Sequence, residues 1–306
     1  MRQIRTDLAM ESCGAARGAM PGVHVENWAE GEVNITKVAI SRGEGARLLG
    51  KAPGNYITLE CEGVRRRDLN ARVSVADALG EELLSLLPAG DAPVLVIGLG
   101  NRQVTPDSLG PRTVDGTLVT RHIFRELPDQ VDERMSPVCA VAPGVLGVTG
   151  IETMEVVRAI VESVKPRAVI AIDSLSSRAL SRVGSTVQLT DTGIQPGSGV
   201  GNHRSALTGE GLGVPVLAIG VPMVIYAATI ARDAFEMLSG EEDSPERDRS
   251  LDAMTNELLN GSMGEMIVTP REVDNLIADA AEMLAGGINR ALHPGLSDQE
   301  ISIMMG

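Results

Sequence analysis

Residues 168–172 read Ala-Val-Ile-Ala-Ile, an unbroken apolar run with no polar alternation. A strand of that kind is buried on both faces, which requires a sheet covered above and below, the usual condition of a parallel sheet with crossover helices. Residues 94–97 and 138–141 repeat the pattern. Residues 186–189 and 214–219 complete the strand set, and helical periodicity fills much of the space between them. The expectation is an α/β fold with a mostly parallel sheet sandwiched by helices. At 306 residues the chain has room for one such domain with embellishments.

The helices follow from apolar spacing. Leu69, Val73, Val75, Leu79, Leu83 and Leu86 share roughly one face of a helix over 68–87. Further helices are expected over 114–127, over 151–164 (stopping before Lys165-Pro166) and over 224–238. A last one has Thr269 as N-cap, Pro270 at its first position and Glu272 completing a capping box. Val273, Ile277, Ala281 and Leu284 give that helix its stripe, and Gly286-Gly287 is expected to end it. Ahead of the α/β region, β-branched runs at 33–40 and 56–61 predict a β-rich embellishment over about 30–65. The first thirty residues read as an exposed lead-in, and the charged stretch 240–249 as an exposed loop.

Composition narrows the function. Aromatic residues are 2% of the chain, too few for a platform on which bases or sugars stack. A formal charge of −14 opposes direct binding to a nucleic-acid backbone, though not to a flexible or basic protein. Cys13, Cys61 and Cys139 are odd in number and widely spaced, which suggests neither a disulfide framework nor a zinc site. Residues 1–19 lack the apolar core of a signal peptide, and no run of about 18 apolar residues exists. A cytoplasmic location follows as the expectation.

In open α/β sheets, functional groups gather beyond the carboxyl ends of the strands. Three stretches there are rich in Gly, Pro, Thr and acids: 98–111, 142–150 and the one opening Ile172-Asp173-Ser174-Leu175. Asp173 emerges from an apolar strand, where desolvation favours the protonated acid. Asp107 on the neighbouring loop is placed to share one proton with it. Such a pair activates water with its ionised member and polarises a carbonyl with the other. Each aspartate alone equally fits a helix cap or a loop hydrogen bond.

Other patterns are weaker. Gly98-Leu99-Gly100 lacks the third glycine of a dinucleotide loop, and 196–202 lacks the Gly-Lys-Ser/Thr ending of a phosphate loop. Asp191-Thr192-Gly193 copies a pepsin-like tripeptide, but pepsin-like enzymes are all-β and need two. No Gly-x-Ser-x-Gly elbow follows a strand. His24, His122, His203 and His293 are scattered.

Taken in order, GLGNRQVTPDSLGPRTVD, VTRHIF, APGVLGVTGIET, AIDSLSSR, DTGIQPGSGVGN, PVLAIGVP and VTPREVD with AGGINRALH resemble the germination proteases of endospore-forming bacteria. The similarity runs from about Arg5 to Leu292. It implies an atypical aspartic endopeptidase, unrelated to pepsin, that degrades small acid-soluble spore proteins in the spore core during germination. It implies catalytic roles for Asp107 and Asp173, the pair the strand-end argument selects, with Asn101, Thr105, Gly144 and Asp191 as candidates to line the site. It further implies a homotetramer, no cofactor, and a fold similar to the hydrogenase-maturation endopeptidases.

The family's members are zymogens that cut themselves after an acidic residue followed by a hydrophobic one and Ala. Here that pattern is Asp7-Leu8-Ala9, which makes 1–7 a propeptide and 8–306 the peptidase domain. Two departures stand out: a short propeptide and an abbreviated 240–263 region. Two alternatives have their own signatures. One is a metal-dependent peptidase using the same aspartates with an imidazole such as His203. The other is a non-enzymatic binding module built on the glycine loops.

Overall fold

The computed structural model describes residues 7–11, 20–195, 205–238, 253 and 266–306. A nine-stranded sheet runs through it: β1 (Val23–Glu30), β2 (Val33–Ile40), β3 (Gly54–Glu60), β4 (Val94–Gly98), β5 (Val138–Val141), β6 (Ala168–Ser177), β7 (Thr186–Thr190), β8 (Val216–Tyr226) and β9 (Ile267–Val268). The spatial order is β1-β2-β3-β7-β8-β6-β4-β5, with β9 on β8.

The sheet is mixed, which corrects the mostly parallel expectation. Parallel pairing joins β5 to β4, β4 to β6 and β6 to β8; the other five pairings are antiparallel. The expectation failed at 186–190. Its apolar residues suit either sheet type, and only the pairing with β3 and β8 sets its direction. Of the exposed lead-in, residues 23–30 form β1, hairpinned onto β2 and largely exposed, whereas Leu8 and Ala9 are fully buried, which corrects the expectation there.

Helices cover the two faces: α1 (Leu69–Leu86), α2 (Leu109–Asp115), α3 (Thr153–Val164), α4 (Ala227–Leu238), α5 (Val273–Leu292) and α6 (Asp298–Met305). Helices α1 and α5 lie side by side on one face. There Val75, Leu79, Leu83, Ile277, Leu284 and Ile288 pack on Ile57, Leu189, Ile219, Ile170 and Val96. On the other face Val157 and Val161 of α3 meet Leu95, Ile97, Val169 and Ala171. Asp68 caps α1, accepting from the Asn70 N–H at 2.8 Å.

Several boundaries moved. The helix expected over 114–127 is two pieces, α2 and a turn at Arg121–Glu126. They part at 116–120, where the Leu118 N–H turns to Asn289 Oδ1 (2.9 Å) instead of a helical carbonyl. Helix α4 starts at Ala227 because β8 runs on to Tyr226, which pairs with Ile267. Helix α5 has Glu272 at its N-cap with no side-chain cap bond, so the Thr269 capping box does not form. A capping box does form at Ser297 and Glu300, ahead of α6. Gly286 and Gly287 do not end α5. A Cβ on Gly287 would lie 2.9 Å from the Ala76 carbonyl oxygen, so this glycine permits the close approach of α1. The 240–249 stretch, Cys13 and 196–202 lie outside the described residues.

Candidate active site

The site region begins where β4 stops. Gly98 is its last residue, paired with Ile172, and the next N–H, from Leu99, donates to the Ile172 carbonyl at 2.8 Å. Helix α2 then returns across this junction. A Cβ on Gly110 would stand 2.4 Å from the Leu99 oxygen and 2.6 Å from the Ile172 oxygen, both backbone atoms, so only glycine fits. Asp107 precedes Gly110 by three residues and Asp173 directly follows Ile172. The fold therefore draws both aspartates to one junction between neighbouring strands.

Asp107 ends a single 3-10 turn, Thr105–Asp107. Its Oδ2 accepts from the Asn101 N–H at 2.8 Å, and the turn packs against β6, β8 and α5. Gly100 makes this possible: its φ is 109°, and a Cβ there would collide with the Asp107 carbonyl. Asn101 closes the loop with its own side chain, Oδ1 accepting from the Gln103 N–H at 3.0 Å. Thr105 contributes its carbonyl, which accepts from the Ser108 N–H and hydroxyl.

Asp173 is 6% exposed. It is not a strand terminus, as the sequence suggested, because β6 continues to Ser177 along β8. What ends there is the neighbour, β4, so Asp173 stands just past a step in the sheet. Its Oδ1 accepts from the Ser174 N–H at 2.8 Å. Register aligns Asp173 with Gly220 of β8, and Gly220 with Gln188 of β7. In-register residues share a face, so Asp173 and Gln188 flank a position that carries no side chain.

The N-terminal segment lies against this overhang. The Asp7 N–H donates to the Ser176 carbonyl (3.2 Å), and Asp7 Oδ2 accepts from the Ser176 N–H (2.8 Å) and hydroxyl (3.0 Å). The Asp7 carbonyl oxygen accepts from Lys51 Nζ at 2.7 Å and from Gln188 Nε2 at 3.1 Å. Gln188 also accepts the Ala9 N–H at 2.8 Å. Ala9 packs with Val38, Ile40 and Tyr56. The Asp7–Leu8 peptide is thus gripped on both sides. Burial of the Leu8 side chain adds about 1.5–3 kcal/mol.

The remaining candidates make contacts of their own. Asp191 holds the start of β3: Oδ1 accepts from the Asn55 N–H and Oδ2 from Asn55 Nδ2, both at 2.7 Å. Gly144 follows β5 with φ 78°, and its carbonyl accepts from Thr153 Oγ1 at 3.3 Å. His203 lies outside the described residues, and among those described no group of three His, Cys, Asp or Glu is spaced to hold a metal ion. His293 is fully buried far along the chain, between the Ser136 N–H and the Leu118 carbonyl, and burial pushes its pKa down. Sequence reasoning missed Lys51, Ser176, Gln188 and Arg182. The polar alternation of Thr186, Gln188 and Thr190 on β7 was the available signal, since these three side chains are buried.

Comparison with known proteins gives the class first: this is a peptidase. The family model described as germination protease matches residues 3–256 and 240–304. A germination protease of Caldanaerobacter subterraneus is 42% identical over 99% of this chain and 98% of its own. That of Clostridium tetani is 40% identical over 98% of both chains, and that of Bacillus subtilis 39% identical over 97% and 95%. The chain belongs to the germination protease family. Among the described residues no helix is long and apolar enough to cross a membrane.

Proposed function

We propose that the protein is an endopeptidase that hydrolyses small acid-soluble spore proteins, using Asp107 and Asp173 to activate water, and that it is made as a zymogen cleaving its own Asp7–Leu8 bond. The observation that carries this reading is the convergence of both aspartates on the β4–β6 junction, beside the segment 7–11, whose Asp7 carbonyl is already held by two donors.

The chemistry follows from ordinary acid–base reasoning. Two neighbouring carboxyl groups share one proton. The ionised member takes a proton from water as the oxygen attacks the Asp7 carbonyl carbon, and the protonated member supplies one to the departing Leu8 nitrogen. Charge develops on the Asp7 oxygen, where Lys51 Nζ and Gln188 Nε2 already donate and stabilise it. An unfolded small protein suits such a groove, because its backbone is available without prior unfolding. Residues 1–7 are then the propeptide and 8–306 the peptidase domain. The proposed likeness to the hydrogenase-maturation endopeptidases rests on the parallel strands β5-β4-β6-β8 with the glycine-rich loop after β4. A homotetramer in the spore core completes the reading.

The test is digestion of a purified small acid-soluble spore protein by the wild type, Asp107→Asn and Asp173→Asn, with and without chelator. Each variant is expected to lose about 10²–10⁴-fold in rate with unchanged circular dichroism, and chelator is expected to have no effect. An unaltered rate in either variant overturns the dyad. Loss on chelation favours the metal-dependent reading instead.

A further inference from the structure

Two arginines border the site, and they act on different parts of it. Arg182, on the 3-10 turn Leu180–Arg182, lies between Glu11 Oε1 (2.8 Å) and Glu60 Oε1 (2.9 Å) and so ties the N-terminal segment to β3. Arg102 belongs instead to the loop that carries Asp107. Its Nη1 donates to Asp115 Oδ2, and its Nη2 to Asp115 Oδ1 (3.0 Å) and the Pro111 carbonyl (3.2 Å). A planar guanidinium makes such a two-pronged contact with defined geometry. It fastens the loop after β4 to the last turn of α2, 13 residues further along the chain.

That loop needs a fastening from outside. Gly100, at φ 109°, lets the chain turn but does not hold it there, since glycine reaches many backbone conformations. Before the turn, the Leu99 N–H is fixed on the Ile172 carbonyl and its own carbonyl lies against Gly110. After the turn, Arg102 is clamped to Asp115. Between these two points sits the Asn101 N–H, which donates to Asp107 Oδ2 at 2.8 Å. The Val104 and Asp107 N–H groups bond to the Asn101 and Val104 carbonyls, inside the loop, and so move with it. Both side chains of the clamp are about half exposed, 54% for Arg102 and 56% for Asp115, and an ion pair so exposed adds little to stability.

We propose that Arg102, anchored by Asp115, is a positioning residue for catalysis: it sets the Asn101 N–H against Asp107 and thereby aims the Asp107 carboxylate at water. This deepens the peptidase reading and rests on the catalytic role given there to Asp107. A misplacement of about 1 Å at such a group lowers the rate on the order of 10²-fold. The fold, held by the close contacts of Gly98 and Gly110, is indifferent to it.

The experiment measures kcat and KM on a purified small acid-soluble spore protein, with urea midpoints alongside. The chains are full-length wild type, Arg102→Gln, Asp115→Asn, Asp115→Glu, Asp107→Asn and the double variant Arg102→Gln/Asp107→Asn. The chain's own segment competes with substrate, which raises KM and leaves kcat at saturation alone. Arg102→Gln and Asp115→Asn are each expected to lose about 10- to 100-fold in kcat, with KM within about twofold and the urea midpoint of the wild type. Asp115→Glu keeps the carboxylate and is expected to restore kcat to within about threefold of the wild type. In the Asp107→Asn background, Arg102→Gln is expected to change kcat by less than about threefold, because no catalytic carboxylate is left to aim. A wild-type kcat in Arg102→Gln, or an equally large loss in the Asp107→Asn background, overturns the proposal and leaves the dyad standing. A loss of kcat that tracks a lowered urea midpoint also overturns it and assigns Arg102 to the fold. If Asp107→Asn is as active as the wild type, or the wild type digests nothing, the peptidase reading itself fails and the proposal falls with it.

Discussion

The two halves of the sheet are built on different terms. In the parallel half, β5-β4-β6-β8, main chains approach so closely that glycine is required: Gly98 and Gly110 each face a backbone oxygen within 2.4 Å of a would-be Cβ. The antiparallel half, β1-β2-β3-β7, offers on one face the polar side chains Thr58, Gln188 and Thr190, and the N-terminal segment crosses that face. The first half fixes positions through backbone contact; the second holds a chain segment through side chains. A rigid frame for the aspartates thus adjoins a surface that can release what it binds.

The contrast breaks most sharply at Gly110. In Gly110→Val the new atoms meet backbone oxygens of Leu99 and Ile172 that cannot turn away. The expected cost is about 3 kcal/mol or more, at the upper end of overpacking effects, read as a lower urea midpoint. A midpoint near that of the wild type would show that the junction is softer than its geometry states.

Gln188→Ala tests the other half. It removes one donor to the Asp7 carbonyl and the acceptor for the Ala9 N–H, a change worth about 1–3 kcal/mol to a buried group. The expected effect is local: amide exchange at 8–11 speeds up about 10- to 100-fold while β4 and β6 stay protected. Unchanged exchange at these amides would mean that Gln188 does not hold the segment.

How much of this was legible beforehand divides along the same line. The apolar runs at 94–97 and 168–172 announced the parallel half, and the glycine-rich loop between strand and helix pointed to Asp107. Strand direction at β7 was not legible, because alternating Thr-Val-Gln-Leu-Thr carries no sign of which neighbour it will pair with. Nor was the docking of Asp7 and Glu11. A polar, glycine-rich start reads as solvated until a buried Gln188 and an Arg182 lying far along the chain are brought beneath it. Asp173 was found for a partly mistaken reason: its own strand continues, and the neighbouring strand is the one that stops.

The smallest expected effect lies outside both halves and serves as a control. His293 is buried, and its pKa is lowered chiefly by desolvation. The unfolded chain therefore binds a proton that the folded chain does not. Stability contributed by the neutral imidazole is present above the ordinary histidine pKa and is lost as pH falls below it, with a slope of at most about 1.4 kcal/mol per pH unit. In His293→Gln, urea midpoints measured from pH 7.5 to 5.5 should lose that component of their slope. A slope identical to the wild type's would assign the acid sensitivity to other groups.

The central claim is that Asp107 and Asp173 together cut the bond after Asp7. N-terminal sequencing of the purified wild type, Asp107→Asn and Asp173→Asn chains after incubation, with and without chelator, tests it most directly. The account predicts a new terminus at Leu8 in the wild type alone, unaffected by chelator. A Leu8 terminus in both variants, or a wild type that ceases to process only when chelator is present, would contradict it.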